Sequence, residues 1–455
     1  MIKFFTSVLL FCISFCATAQ KIDTSFLDQI YKNALQNGKA YEDLRSLCKD
    51  VGARLSGSAE AEMAVQWSYT KMKSYGFDTV YLQPIMVTHW ERGNKEAAWI
   101  KKSNGDLIKL NILALGGSIG TNGLLEAEIV EFASITELQK ATRAQVEGKI
   151  VFLSQAMTAT EINTFKAYGA CYPIRGDGAV EAGRLGAVAV IIRSLAMPLD
   201  DHPHTGSMHY NDSVQKIPAG AISTNDAEML SKMLKSTTLK LVLEMDCRNF
   251  PPAPSSNVIG EIWGKHKNNI ITFGGHLDSW DAGEGAHDDG AGCIHSLEAL
   301  RLLKTQNYKP NNTLRCVLFM NEENGNAGGM AYAQISKEKL ENHIAAIESD
   351  RGGFVPQGFS CDGNDKQVQE MKSIAKYFKK YEVYEFEKGY GGVDIGPLKK
   401  VFIGIPLYSL VPNSQRYFDF HHAESDVFES VNKRELELGA AGLASFVYCL
   451  DILHK

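Results

Sequence analysis

Ile270-Ile271-Thr272-Phe273-Gly274-Gly275-His276-Leu277-Asp278-Ser279-Trp280-Asp281 places a short apolar run directly before two glycines and a cluster of polar, chemistry-bearing side chains. The run reads as a buried strand, and the polar cluster then falls beyond its carboxyl end. The same texture continues downstream: a helix is expected from about Gly290 to Lys304, a strand over Leu314 to Met320 and a helix through Ala331 to Lys339. A closing helix, Arg434 to Leu453, gathers its apolar residues on one face. Strands and helices in alternation predict βαβ units, hence an α/β fold with a mainly parallel central sheet flanked by helices. In such sheets functional groups collect outside the carboxyl ends of the strands.

Upstream, Pro251-Pro252-Ala253-Pro254 excludes helix and is expected to be a stiff return linker. Before it, from about Leu113 to Phe250, short runs such as Lys149 to Leu153 and Ala187 to Ile192 alternate with glycine-rich turns, the texture of an inserted β-rich domain. From Ser25 to about Tyr75 the pattern is amphipathic and helical. Val51-Gly52-Ala53-Arg54-Leu55-Ser56-Gly57-Ser58 interrupts it, so two helices around a glycine-rich loop are expected. The division is therefore residues 20–112 as the first part of a catalytic domain, 113–252 as the insert and 253–455 as the main catalytic part. A chain of 455 residues suits such an arrangement, because single cores stop growing at about 250 to 300 residues.

Bulk properties narrow the partners. Hydrophobic residues at 44% and charged residues at 22% describe a chain able to bury a core. A net charge of -6 gives no electrostatic reason to propose nucleic acid or an anionic membrane, so a small or neutral partner fits better. Lys3, the apolar run Val8 to Phe15 and Ala17-Thr18-Ala19 form a signal peptide over residues 1–19, which predicts a secreted or periplasmic protein. The apolar run is shorter than the roughly 20 residues that span a bilayer. Beyond that leader, Cys48, Cys171, Cys247, Cys293, Cys316, Cys361 and Cys449 are scattered without CxxC spacing. They suggest small buried apolar residues rather than a disulfide framework or a thiolate metal site.

The chemistry lies in a set of strand-end clusters. His276 and Asp278, two apart in an extended segment, point to the same side, which suits a histidine ligand with a supporting carboxylate. In Gly285-Ala286-His287-Asp288-Asp289-Gly290 an aspartate can offer its oxygens to two cations, although Asp before a helix more often serves as a cap. In Met320-Asn321-Glu322-Glu323-Asn324-Gly325 adjacent glutamates point apart, so one can bind metal and the other serve as base. Zinc brings a water's pKa to about 7, and a carboxylate must still accept the proton. Ile347-Glu348-Ser349-Asp350 and Phe420-His421-His422-Ala423-Glu424-Ser425-Asp426 complete the set. Each cluster alone passes for an ordinary polar turn. Together they offer only His, Asp and Glu, the donor set of a catalytic zinc pair rather than of a closed structural site. Gly391-Gly392-Val393-Asp394 is a candidate wall of the substrate pocket.

This succession of a histidine, an aspartate, a glutamate pair, an aspartate and a final histidine resembles the M28 metallopeptidase family in order and local context. The resemblance implies two zinc ions per chain bridged by Asp288, with His276 and Asp350 completing one site and Glu323 and His422 the other. His422 is chosen over His421 because the family histidine stands four residues before an aspartate, here Asp426. Glu322 matches the general base and Asp278 the carboxylate supporting His276; a cis peptide between Asp288 and Asp289 is also implied. His287 departs from the pattern, standing where an apolar residue is expected. The implied architecture is a phosphorylase/hydrolase-like zinc peptidase domain interrupted by a protease-associated-like insert, in a homodimer that hydrolyses dipeptides or the ends of short peptides. The alternatives are an aminopeptidase acting on longer peptides, a glutaminyl cyclase with one zinc, and a non-catalytic binding homologue that has lost ligands.

Overall fold

The computed structural model describes residues 22–454, so the leader expected over residues 1–19 lies outside the described residues. The N-terminal region holds helices Thr24–Asn37 and Ala40–Ser46, a wider turn Leu47–Val51 and helix Ala59–Ser74. The single helix expected before the glycine-rich loop is thus two, divided at Gly38, where a side chain would strike the carbonyl of Ala34. Ser58 starts the next helix by accepting a hydrogen bond from the Ala61 N–H.

β1 (Thr79–Glu91) carries the chain away from this layer. A second sheet follows, built from β2 (Glu96–Lys101), β3 (Leu107–Leu110), β4 (Ile112–Ala114), β5 (Leu125–Phe132), β6 (Ile150–Leu153), β7 (Ala189–Arg193), β8 (Ala219–Ile222) and β9 (Lys240–Met245). Its order is β3-β2-β9-β5-β6-β7-β8-β4. The chain returns through β10 (Arg248–Ile262) to β11 (His266–His276), β12 (Asn312–Phe319), β13 (Asn342–Glu348), β14 (Pro356–Asp362), β15 (Glu385–Lys388) and β16 (Leu407–Pro412). With β1 these form the first sheet, in the order β1-β10-β12-β11-β13-β16-β14-β15.

The first sheet is mixed rather than mainly parallel. β12, β11, β13 and β16 run parallel at its centre and β14 pairs in parallel with β15, whereas β1–β10, β10–β12 and β16–β14 are antiparallel. The sequence signal came from the centre, where every residue of β12 is buried and the run from Leu314 to Phe319 is apolar apart from Arg315. Alternate residues serve opposite faces. Leu314, Cys316 and Leu318 join a large core beneath helices Ala291–Thr305 and Lys433–Leu453, while Val317 and Phe319 join a smaller one with Tyr332 and Ile395. The closing helix Lys433–Leu453 is long and apolar enough to cross a membrane but is almost wholly buried, packed on Ala291–Thr305 and Thr24–Asn37.

Two details depart from the sequence reading. β2 and β3 precede residue 113 yet belong to the second sheet through β9, so that sheet draws on residues 96–245. Ala253 and Pro254 are not in a free linker: within β10 they pair with Val87 and Met86 of β1, making a two-stranded ribbon between the sheets. Proline is tolerated there because a ribbon leaves one edge of each strand unpaired. Cys48, Cys171, Cys247, Cys293, Cys316, Cys361 and Cys449 are all buried and free, as small core residues.

Candidate metal centre

β12, β11 and β13 are parallel neighbours, so their carboxyl ends open along one edge of the sheet. That register brings His276, the last residue of β11, beside Glu322 and Glu323 just past β12 and Asp350 just past β13. Asp288 comes from the turn between β11 and helix Ala291–Thr305, with φ -119° and ψ 90°, outside helical geometry. The Asp288–Asp289 peptide is cis, as the resemblance implied. His422 arrives from the loop after Tyr417–Asp419 with φ 64°.

The two oxygens of Asp288 face different partners. Oδ1 lies 3.2 Å from His276 Nε2, which is also 3.5 Å from Asp350 Oδ1. Oδ2 lies 3.2 Å from His422 Nε2, which is in turn 3.2 Å from Glu323 Oε2. Both rings are fixed from behind: Nδ1–H of His276 donates to the carbonyl of Asp278 at 2.9 Å, and Nδ1–H of His422 to the carbonyl of Thr205 at 3.2 Å. Each thereby turns an Nε2 lone pair toward Asp288, the tautomer that a metal ligand needs. His421 stacks on His422 and also reaches Asp288 Oδ2, at 3.6 Å, so both tandem histidines converge there; His422 alone of the two also pairs with Glu323. Glu322 stands 3.9 Å from His276 Nε2.

These groups fit cations. His276, Asp288 and Asp350 bring donor atoms within 4.8 Å of one another, as do Asp288, His421 and His422. Asp288 Oδ2, Glu323 Oε1 and Asp350 Oδ1 are buried without a hydrogen-bond partner, a state that is unfavourable for a carboxylate unless positive charge meets it. Burial first, then repulsion from Asp288, pushes Glu323 up to about 7. Burial, reinforced by Asp350, Glu323 and Asp394, drives Glu322 well above the carboxylate range. Asp288 goes the other way: burial opposes it, but the two imidazoles facing its oxygens, His276 and His422, hold it well below its ordinary value.

Known proteins carry the same arrangement of sequence and fold. The family model described as Peptidase family M28 matches residues 257–447. Carboxypeptidase Q of Bos taurus is 36% identical over 421 residues, 92% of this chain and 86% of that one. The chain belongs to peptidase family M28. A crystal structure of a peptidase M28 precursor from Shewanella amazonensis SB2B superposes with a TM-score of 0.89 at 34% identity, covering 94% of this chain and 96% of that one. The zinc aminopeptidase BSAP of Bacillus subtilis, at 22% identity and a TM-score of 0.65 over 90% of this chain and 94% of that one, shares the fold.

Around these donors the structure reveals supports that sequence reasoning missed or misassigned. Asp278 was expected to hold His276 through its carboxylate, but that carboxylate is 3.9 Å from Nδ1, and its backbone carbonyl takes the bond instead. The carboxylate accepts the N–H groups of Asn321 at 2.8 Å, Glu322 at 3.1 Å and Glu323 at 3.3 Å, tying the glutamate turn to β11. The turn bends away from β12 and leaves those N–H groups without sheet partners, so a buried anion meets them. Arg54, wholly buried, donates to the carbonyls of Leu277, Glu284 and Gly285 and so ties the His276 loop to the Asp288 turn. Asp426, four residues beyond His422, accepts the N–H groups of His287 and Asp288 at 2.7 and 3.1 Å. His287 is no ligand candidate: it stacks on Phe354 at 4.3 Å and its Nδ1 accepts the Gly353 N–H, leaving Nε2 protonated. Burial keeps that ring neutral, with its pKa down to about 3.

The donors open into a cleft of about 420 Å³. Gly392 and Val393 line it, as expected of their loop. Glu348 anchors that loop by accepting the N–H groups of Val393 and Ile395 at 2.8 and 3.0 Å. Phe165, Tyr168, Tyr172 and Arg175, from helix Thr164–Gly176 of the second sheet's layer, wall the other side.

Proposed function

We propose that this M28 peptidase is an exported di-zinc exopeptidase that hydrolyses dipeptides or the terminal bonds of short peptides. The observation that carries the reading is Asp288, whose two oxygens face two separate ligand pairs. His276 and Asp350 would complete one zinc site and Glu323 and His422 the other, all hard or borderline donors suited to zinc. When bound, the cations supply a lowered water pKa and polarisation of the scissile carbonyl. Glu322 accepts the water's proton and returns it to the leaving amine; its burial beside other carboxyls raises its proton affinity well above that of an ordinary carboxylate. Asp278 keeps Glu322 in place through the backbone of its turn. A cleft of about 420 Å³, walled by a second layer, is of the size that encloses a small ligand and suits a short peptide better than a folded chain.

The test is Glu322→Gln. Turnover of a dipeptide panel should fall by roughly 10² to 10⁴, the span of general-base catalysis, with zinc content unchanged; retained turnover removes Glu322 from that role. An aminopeptidase acting on longer chains predicts faster cleavage of long peptides than of dipeptides, and the same panel separates the two. A cyclase with one zinc predicts a single bound ion by metal analysis, against which both ligand pairs argue. Three further features belong to the same reading. The second sheet, whose helix roofs the cleft, is a protease-associated-like unit. The N-terminal run Val8 to Phe15 with Ala17-Thr18-Ala19 supports export, and sequencing the mature terminus would find Gln20 first. Light scattering would report a homodimer.

A further inference from the structure

Two arginines reach the cleft, and their circumstances differ. Arg175 is engaged: it donates to the hydroxyl of Tyr168 and, at 3.4 Å, to the carbonyl of Thr205, and it lies over the Tyr168 and Tyr172 rings. Arg351 rests partly buried over the ring of Phe165, 5.1 Å from its centroid, and among the described residues its guanidinium has neither a hydrogen-bond nor an ion-pair partner. The nearby carboxylates are committed elsewhere. Asp350 turns to His276, and Glu348 is held by the N–H groups of Val393 and Ile395. A guanidinium left free beside a reactive centre is a ready receptor for a planar anion, which it grips through two parallel N–H bonds.

The charge balance points the same way. Two dications together with Arg351 and Arg175 would outweigh, by a single charge, the five carboxylates that line the cleft, Asp288, Glu322, Glu323, Glu348 and Asp350, so the loaded cleft attracts a negative end group. On the far side of Glu322 and Glu323 lies a second cavity of about 590 Å³, bordered by Thr88, Asn249, Asn324 and Asn326 and by no lysine or arginine. The two spaces differ in charge, and the glutamate pair stands between them.

We propose that Arg351 receives the free α-carboxylate of the substrate, so that the peptide lies with its carboxyl terminus between Phe165 and Asp350 and its amino-terminal residue in the cavity beyond Glu322. The site then selects unblocked carboxyl termini. This rests on the peptidase reading above and adds to it the direction in which the peptide lies.

The experiment compares four substrates on the zinc-loaded full chain: a neutral dipeptide, its C-terminal amide, its N-acetyl derivative, and a dipeptide amide whose last residue is glutamate. The wild type should prefer the free acid over the amide by about 10- to 100-fold in kcat/KM, chiefly through KM, the range one charge-assisted pair covers. The glutamate side chain should not rescue the amide, which separates an α-carboxylate from a side-chain one. Arg351→Ala should collapse the preference to within about threefold while zinc per chain and the kcat/KM for the amide stay near wild type; Arg351→Lys should keep part of it. A wild type that cleaves acid and amide equally overturns the proposal without any variant, as does an Arg351→Ala enzyme that keeps the preference. Cleavage of none of the four would instead overturn the peptidase reading itself.

Discussion

Replacing Asp278 by Asn separates the two roles that this residue can have. Its Oδ1 accepts the N–H groups of Asn321 and Glu322 and its Oδ2 that of Glu323, while its carbonyl holds His276. An amide oriented with its oxygen toward the first two keeps both bonds but loses their charge, about 1 kcal/mol each. Its NH2 then faces the Glu323 N–H, donor against donor, which costs about 1 to 3 kcal/mol. Burial already works against the Asp278 carboxylate, raising its pKa, so removing the charge returns part of this. The net loss is about 2 to 3 kcal/mol, or roughly 30- to 150-fold. It should fall on the glutamate turn: kcat drops by that factor and the zinc at Glu323 and His422 weakens, while the zinc at His276 and Asp350 keeps its affinity. Zinc titration against a chelator, with steady-state kinetics of the loaded enzyme, measures both. Normal kcat with a selectively weakened His276 site would refute the reasoning and restore the simpler role of a carboxylate behind a histidine.

Gly206→Ala should disturb His422 from the second sheet's side. Gly206 holds φ +133°, and a methyl there meets Arg175 and stands 2.7 Å from His422 Nδ1, so affinity for one zinc should fall about 10- to 100-fold beside a loss of fold stability of about 1 kcal/mol or more from the strained backbone; an unaltered chelator titration would contradict this. Zinc binding should be pH-dependent because burial raises Glu323 and Asp426 to about 7, and Glu323 must lose its proton to bind. Affinity should fall by up to about tenfold per pH unit below 7. Stability without zinc has the opposite sign. Carboxyls raised from ordinary values of 4.5 and 3.8 stabilise the fold most below those values, and the contribution is lost as pH rises through about 7. Denaturant midpoints measured across that window with and without zinc should therefore diverge, and parallel profiles would refute the assignment.

The residues facing Asp288 were legible because each follows a mostly apolar run or closes a tight polar turn, and β12, β11 and β13 bring such ends together by parallel pairing alone. The supports were less legible. Arg54 acts through carbonyls of Leu277, Glu284 and Gly285, groups every residue possesses, so nothing in sequence marks its partners. The bond from Asp278 to His276 is not legible, since period-two alternation says which side a residue faces and not whether its carbonyl or carboxylate arrives first. The antiparallel flanks of the first sheet escaped for a related reason. Ala253 and Pro254 look like linker because their pairing partners, Val87 and Met86, lie far away in the chain. His287, the departure from the family pattern beside Asp288, packs against Phe354 and Phe420 as a flat neutral ring, a role that nothing in its sequence position marks.

The β1–β10 ribbon has a consequence for how such a molecule can be built and dismantled. Glu91 and Arg248 face each other across its tip, so everything between them begins and ends at neighbouring points. A tight turn could bridge that gap in place of some 150 residues of chain, as in an ordinary hairpin. The whole roof is thus a graft on one turn, added or trimmed without rethreading the sheet that carries His276 and Asp350. Yet the graft returns Thr205 to the back of His422, so a trimmed protein would keep its foundations and lose the brace on one histidine.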